Sequence, residues 1–376
     1  MKNLRVVTIV GTRPEIIRLS RVIPVLDRDH EHVLLHTGQN YDPELSDVFF
    51  DDLGIRHPDQ FLNAARKNST QTIAAVLSAV DDALRDIQPD AVLVLGDTNS
   101  CLGLLAARKL RIPTFHMEAG NRCFDFRVPE ETNRRIVDHL SDMNLPYSQI
   151  AREYLIAEGL PPDRIIVTGS PMAEVLFHNR QKIEASSAMD DLGLSSGSFF
   201  LVSLHREENL EDGPRLAGFV DMMNSLAVEF GLPVVVSTHP RTRQKLEQQD
   251  LKVHPEVRLI KPLSFTKYVN LQMNARLVLS DSGTISEESS ILGLRAVNLR
   301  DTHERPEAME EGAVMMVGNS TERVMSALRM IDHQGRGQSA VLKTPLDYQS
   351  VNVSEKVSRI ILSYTDYVQR TVWKRH

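Results

Sequence analysis

Carboxylates stand directly after two apolar runs, Asp97 in Gly96-Asp97-Thr98-Asn99-Ser100 and Glu118 in His116-Met117-Glu118-Ala119-Gly120. An acid placed where a strand empties into a loop is costly to desolvate unless it is paired or used, so both are candidates for proton transfer. Duller duties compete: Asp97 could cap the next helix, and Glu118 could pair with Arg122. A third candidate, Glu130, lies in the stretch from Arg127 to Arg135, where Pro129 suits a first helical position and two acids suit the first turn. In the same stretch Glu130 with Arg134, and Glu131 with Arg135, are i,i+4 pairs of the kind found on a solvated helical face. Carboxylates crowded together can have their pKa values pushed apart, so that one carries a proton while another does not.

Positive charge and anion-binding turns accompany these acids. Arg13 follows the first apolar run, where it could clamp a phosphate. His205 and His239 end two further apolar runs, which suits ligand contact or proton transfer. In Leu279-Ser280-Asp281-Ser282-Gly283-Thr284-Ile285-Ser286-Glu287-Glu288 a strand enters a small-residue turn and then a helix. The amides of Ser282 to Thr284 can face a phosphate there, backed by the positive helix end. A carboxylate one turn on, at Glu287 or Glu288, can accept both hydroxyls of a ribose, and Arg300 to Glu307 bring more cations to the same place. A nucleoside diphosphate is the ligand this suggests.

These residues need a frame that brings strand ends together. Short Val, Ile and Leu runs alternate with helical segments, which predicts parallel strands joined by crossover helices and an α/β class. Expected strands are Leu4–Val10, His32–His36, Ala91–Leu95, Ile112–His116, Asp142–Pro146 and Ile165–Thr168. After a polar crossing from His178 to Ser198 the pattern restarts with Phe199–Leu204, Pro233–Ser237, Val257–Ile260, Arg276–Leu279, Ala296–Leu299 and Val314–Val317. Ile73, Val76, Leu77, Val80, Leu84 and Ile87 share one helical face, as do Val357, Ile360, Ile361, Tyr364 and Val368. The expected layout is two doubly wound domains, residues 1–172 joined by a helix within 353–376, and residues 173–352, with ligand in a cleft between them.

Composition narrows the function classes. The chain has 376 residues, 43 Lys and Arg against 50 Asp and Glu, and a net charge of −7, which argues against general affinity for nucleic acid or an anionic membrane. Its first apolar run, Val6 to Val10, is too short for a signal segment or membrane span, and two cysteines without metal-ligand spacing fit a reducing compartment. A cytoplasmic protein without a metal site is the expectation. The loop Gly11-Thr12-Arg13-Pro14-Glu15 lacks the glycine spacing of a dinucleotide fingerprint and the lysine of a P-loop, which disfavours a tightly bound nicotinamide.

The ordered motifs GTRPEIIR, TGQNYD, LGDTNS, HMEAGNR, VPEETNRR, TGSP, HREEN, STHPRT, SDSGTISEE and RDTHERPE resemble the non-hydrolysing UDP-N-acetylglucosamine 2-epimerases from Leu4 to about Gly318. The wording of HMEAGNRCFD, HREENL and DSGTISEESS is most similar to the UDP-N-acetyl-L-fucosamine synthase branch, which inverts C2 of UDP-2-acetamido-2,6-dideoxy-L-talose. The resemblance implies two Rossmann-like domains of the GT-B type and a homodimer working in surface-polysaccharide synthesis without a cofactor. It also implies an elimination of UDP to a 2-acetamidoglycal, followed by re-addition. By motif, Asp97, Glu118 and Glu130 would be the catalytic carboxylates, with His205 and Arg13 assisting at the diphosphate. Ser282, Gly283, Glu288 and Arg305 would hold UDP, with Tyr268 near uracil and with Arg18, His239 and Thr284 among the binding positions. Arg18 stands where lysine is usual, Asn40 and Glu207 where histidine and arginine are, and Thr284 where a second glycine is. The changes at Asn40 and Glu207 fall in segments that resemble an allosteric site for the nucleotide sugar, and they favour a sugar other than N-acetylglucosamine.

The implied reaction is chemically coherent. C2 of a nucleotide sugar has no adjacent carbonyl, so inversion needs either transient oxidation or departure of the C1 group, and the missing dinucleotide fingerprint favours departure. A UDP-N-acetylglucosamine/UDP-N-acetylmannosamine epimerase is the alternative within the family. A UDP-sugar glycosyltransferase, which would need an acceptor, is the alternative from another class.

Overall fold

Near-continuous apolar runs mark strands buried on both faces, and they assemble into two separate parallel sheets. The computed structural model describes residues 3–39, 43–204, 213–238, 245 and 251–375. The chain divides into two compact units, residues 1–178 with 346–376, and residues 179–345.

The first sheet comprises β1 (Arg5–Val10), β2 (Glu31–His36), β3 (Gln60–Phe61), β4 (Ala91–Leu95), β5 (Thr114–Met117) and β6 (Met143–Leu145) in the order β3-β2-β1-β4-β5-β6. The second comprises β7 (Phe200–Ser203), β8 (Val234–Ser237), β9 (Val257–Ile260), β10 (Leu277–Ser280), β11 (Ala296–Asn298) and β12 (Met315–Met316) in the order β12-β11-β10-β7-β8-β9. Read from the opposite edge, the second order repeats the first, and every pairing is parallel. Each unit is therefore Rossmann-like, with the strand order reversing between β1 and β4 and between β7 and β10. Open sheets of this kind bind ligands beyond the strand ends at such reversals.

Two strand expectations need adjustment. Gln60–Phe61 adds a short edge strand beside β2, too brief to show as an apolar run. Ile165–Thr168 forms only a single bridge, Ile165 with Asn144, although Ile166 and Thr168 still donate backbone bonds to Asn144 and Pro146.

The glycine that ends β1 illustrates how closely the strand ends are packed. A Cβ on Gly11 would lie 1.9 Å from Ser100 Oγ and 2.3 Å from Thr37 Oγ1, and these two hydroxyls bond each other at 2.7 Å. The loops after β1, β2 and β4 are thus tied at one point.

The helix Val353–Thr371 returns to the first unit. It buries Val353, Val357, Ile361 and Val368 and packs against the helix Val22–Asp29. Arg28 forks onto Glu355 at 2.9 and 3.0 Å, and Ser358 Oγ donates to Asp29 Oδ2 at 2.7 Å. The exposed ion pair adds little, so the apolar stripe holds the helix. Ile361→Ala should lower the free energy of unfolding by about 2–5 kcal/mol in chemical denaturation; a loss below about 1 kcal/mol would mean the stripe is not packed as described.

Candidate active site

The site residues of the first unit sit on turns that its sheet forces to one edge. Gly96, at φ +85°, ends β4 with a bend that only glycine adopts easily, and Asp97 follows it. Arg134 Nη2 lies 2.6 Å from Asp97 Oδ2. Asn133 Nδ2 donates to the Asp97 carbonyl at 3.0 Å. The side chain that caps the following turn is Thr98, which accepts from the Ser100 amide, so Asp97 is not the cap.

Glu118 ends β5 at φ +65°, a left-handed conformation that costs a residue with a Cβ on the order of 1 kcal/mol. Its buried carboxylate faces Arg18 Nη1 at 2.7 Å and accepts from Asn121 Nδ2 at 3.2 Å and Tyr147 Oη at 3.4 Å. Arg122 turns away to Asp138 at 2.7 Å and to Glu158 at 2.6 Å, which corrects the expectation that it might serve Glu118. Arg18 is the missing cation, brought in by the helix Arg13–Leu19 from the neighbouring loop.

Glu130 is half-buried in the first turn of the helix Pro129–Leu140. That helix does not present a solvated charged face. Glu131 and Arg134 are buried: Glu131 accepts from the Cys123 amide at 3.1 Å and pairs with Arg135 at 2.9 Å, while Arg134 reaches Asp97. Charge spacing alone cannot distinguish a wet face from one pressed onto strand ends.

Glu15 is a further acid that the motif reading passed over. Its Oε2 accepts from the amides of Gly11 at 2.5 Å and Thr12 at 2.9 Å, and Oε1 accepts from Thr98 Oγ1 at 2.5 Å. It joins the β1 loop that carries Arg13 to the β4 loop that carries Asp97. The Thr12-to-Glu15 spacing of a capping box was the available signal. Burial pushes its carboxyl up to about 7 against the pull of the Thr98 hydroxyl and the two amides, and the charge of Asp97 adds to the rise. Arg13 is held below the ordinary arginine value by burial, with its guanidinium 5.6 Å over the Phe49 ring.

In the second unit the turn after β10 leads through Ser282, Gly283 and Thr284 into the helix Ile285–Leu292. Ser282 and Thr284 share a hydroxyl bond of 2.8 Å, and the Ser282 amide donates to Ser280 Oγ at 3.1 Å. A Cβ on Gly283 would lie 2.4 Å from Glu304 Oε1, so glycine is needed for close approach rather than for an unusual φ. Arg300 Nη1 holds that Glu304 oxygen at 3.0 Å, Arg305 Nε lies 3.3 Å from Glu287 Oε2, and Gln272 Nε2 donates to Glu288 Oε2 at 2.6 Å. Glu287, Glu288, Arg300, Glu304 and Arg305 are all buried, as is Asp281 at the start of the turn. Burial, together with the charge of Glu288, raises the Tyr268 hydroxyl above its ordinary value, so it stays a donor. Gln272 gave no sequence signal.

His205, His239, Asn40 and Glu207 lie outside the described residues. Among those described, no group of His, Cys, Asp and Glu could hold a metal ion, both cysteines are buried and unpaired with each other, and no helix is long and apolar enough to cross a membrane.

The family model for UDP-N-acetylglucosamine 2-epimerase matches residues 25–362. The chain belongs to that family. It is 48% identical to a UDP-N-acetylglucosamine 2-epimerase from Rickettsia bellii, with a TM-score of 0.93, 99% of this chain and all of that chain being covered. The UDP-GlcNAc 2-epimerase of Methanocaldococcus jannaschii, solved with UDP-GlcNAc and UDP, is 31% identical over 96% of this chain and all of its own, with a TM-score of 0.89. The UDP-2,3-diacetamido-2,3-dideoxy-D-glucuronate 2-epimerase of Pseudomonas aeruginosa is 35% identical over 87% of this chain and 92% of its own. The chain is accordingly an isomerase, a UDP-sugar 2-epimerase.

The Glu15 environment makes a pH prediction for this epimerase. Between about pH 4.5, where an unstrained carboxyl ionises, and about pH 7, the folded chain keeps a proton that the unfolded chain has lost. The contribution of Glu15 to stability should therefore fall as pH rises through that window, by roughly 3 kcal/mol, and level off above it, while His36, pushed down to about 4 by burial, contributes in the opposite direction. In urea titrations the stability of wild type relative to Glu15→Gln should drop by that amount across the window; a difference that does not change with pH would remove Glu15 as its source.

Proposed function

We propose that this epimerase inverts C2 of a UDP-2-acetamido-2-deoxy sugar by eliminating UDP and adding it back, and that its sugar is UDP-2-acetamido-2,6-dideoxy-L-talose, giving UDP-N-acetyl-L-fucosamine for surface polysaccharide. A base removes the C2 proton as the C1–O bond to UDP breaks, leaving a 2-acetamidoglycal. An acid then returns a proton to the opposite face of C2 while the UDP oxygen re-forms the bond to C1. Atoms and electrons balance without an external oxidant.

The observation that carries this reading is the pair of arginine-held carboxylates, Asp97 and Glu118, at the ends of the adjacent strands β4 and β5. Each is fixed in direction by its turn, and Glu118 is held in a conformation that its residue type disfavours. Together with Glu130 they supply the acid and base that the two half-reactions require, with Arg13 and His205 stabilising the departing diphosphate. General acid–base assistance of this kind is worth about 10²–10⁴-fold. Ser282, Gly283, Thr284, Glu288 and Arg305 are proposed to bind UDP, with Tyr268 at the base and His239 and Arg18 on the substrate. The space beside Gly11 is taken by two hydroxyls, which supports a first loop built for packing and not for a dinucleotide pyrophosphate. A homodimer in the cytoplasm is the proposed working form.

UDP-N-acetylglucosamine is the competing sugar, favoured by the name of the Rickettsia relative; the diacetamido-glucuronate relative, at similar identity to the archaeal one, supports variation of the sugar within the family. In D2O, the purified protein should place deuterium at C2 of the 6-deoxy-L-talose nucleotide and form its epimer without any acceptor. Turnover of UDP-N-acetylglucosamine with the L-talose compound inert would replace the proposed sugar, and absence of exchange with both would remove the elimination mechanism. Asp97→Asn and Glu118→Gln should each lower kcat by about 10²-fold or more while UDP still binds in calorimetry. Full activity in either variant would strip that residue of its role.

A further inference from the structure

Two of the turns proposed to carry the chemistry, those of Glu118 and Asp97, are linked through one carboxylate that belongs to neither. Asp138 is fully buried near the end of the helix whose first turn holds Glu130. Its Oδ1 lies 2.9 Å from His116 Nδ1, its Oδ2 accepts from Arg122 Nη1 at 2.7 Å, and both oxygens accept from the Gly120 amide at 3.2 Å. His116 and Gly120 are the residues two before and two after Glu118. The other nitrogen of His116 lies 2.8 Å from the Gly96 carbonyl, directly before Asp97.

We infer that Asp138 is a positioning residue for the epimerisation. It clamps the left-handed Glu118 turn from both sides and reaches the Asp97 turn through His116, in register with the helix that bears Glu130 and Arg134. The inference rests on the proposed roles of those acids.

The physical case is one of cost and geometry. A carboxylate this deep is tolerated only when its oxygens are satisfied, and here an arginine and a backbone amide bond them, with the His116 ring within ion-pair distance. Glu118 stays at φ +65° only if its surroundings over-determine it, and the bonds to the Gly120 amide, with the close approach to His116, supply that constraint. A misplacement of about 1 Å in a reacting group can cost about 10²-fold in rate. Asp138 touches neither Glu118 nor Asp97 in any described contact, so loss of its charge should alter alignment while leaving nucleotide binding in place.

The test is Asp138→Asn, which keeps the shape and one acceptor for Gly120 but loses the charge facing Arg122 and His116. Wild-type exchange at C2 in D2O is measured first, and its absence would bring down the proposed reaction rather than the clamp. Given exchange, Asp138→Asn should lower kcat about 10–100-fold with KM for the UDP-sugar and affinity for UDP within about twofold of wild type. Ile361→Ala, destabilised on the far-off apolar stripe, is the control and should keep its kcat at a temperature where it stays folded. If Asp138→Asn fails to fold, His116→Asn, which cuts the link to Gly96, must give the same division between kcat and KM. A kcat near wild type in the folded variant, or a loss no larger than that of Ile361→Ala, would overturn the assignment.

Discussion

A parallel strand cannot turn straight back into its neighbour; the chain must cross over the sheet and re-enter from the same end. Every loop that follows a strand therefore opens on one edge. The residues after β1, β4 and β5 meet for that reason, although the sequence separates Glu15 from Glu118 by roughly a hundred positions, and the residues after β10 and β11 meet in the second unit for the same reason. The chemistry of this chain follows from where topology delivers its polar residues.

Desolvation governs what those residues can be. Asp97 is held by Arg134, Glu118 by Arg18, Glu131 by Arg135, Glu287 by Arg305 and Glu304 by Arg300. Breaking such a buried pair from one side leaves a charge that the interior cannot solvate. A planar guanidinium suits this setting better than an ammonium, because it is more weakly hydrated and offers several donors in fixed directions. Arg18 thus offers several donors beside Glu118, and a substrate that recruits Glu118 must leave Arg18 with an equivalent partner. A phosphate or a sugar oxygen is a suitable replacement.

The strands were legible because burial on both faces demands unbroken Val, Ile and Leu, and helices flanked them with matching apolar stripes. What escaped was decided by contacts far apart in sequence. The i,i+4 arrangement of Glu130 to Arg135 is the same on a wet helix and on a buried one, so it could not reveal that Arg134 serves Asp97. Arg122 looked available to Glu118 because it is near in sequence, but the fold gives it to Asp138 and Glu158. The sequence marks the turn from Ser282 to Thr284 by its amides, whereas the need for glycine at 283 comes from the carboxylate of Glu304, which leaves no space for a Cβ. The pairing of Gln272 with Glu288 left no trace in any local pattern.

The return of the last helix has a consequence for how the molecule comes to exist. The first unit is discontinuous, and among the described residues the helix Val22–Asp29 packs against a helix synthesised after the whole of the second unit. Domains usually complete themselves in order of emergence from the ribosome. Here the inserted unit, residues 179–345, has all of its strands before the first has its final helix, so the earlier-made half must wait, partly uncovered, for the later one to be finished.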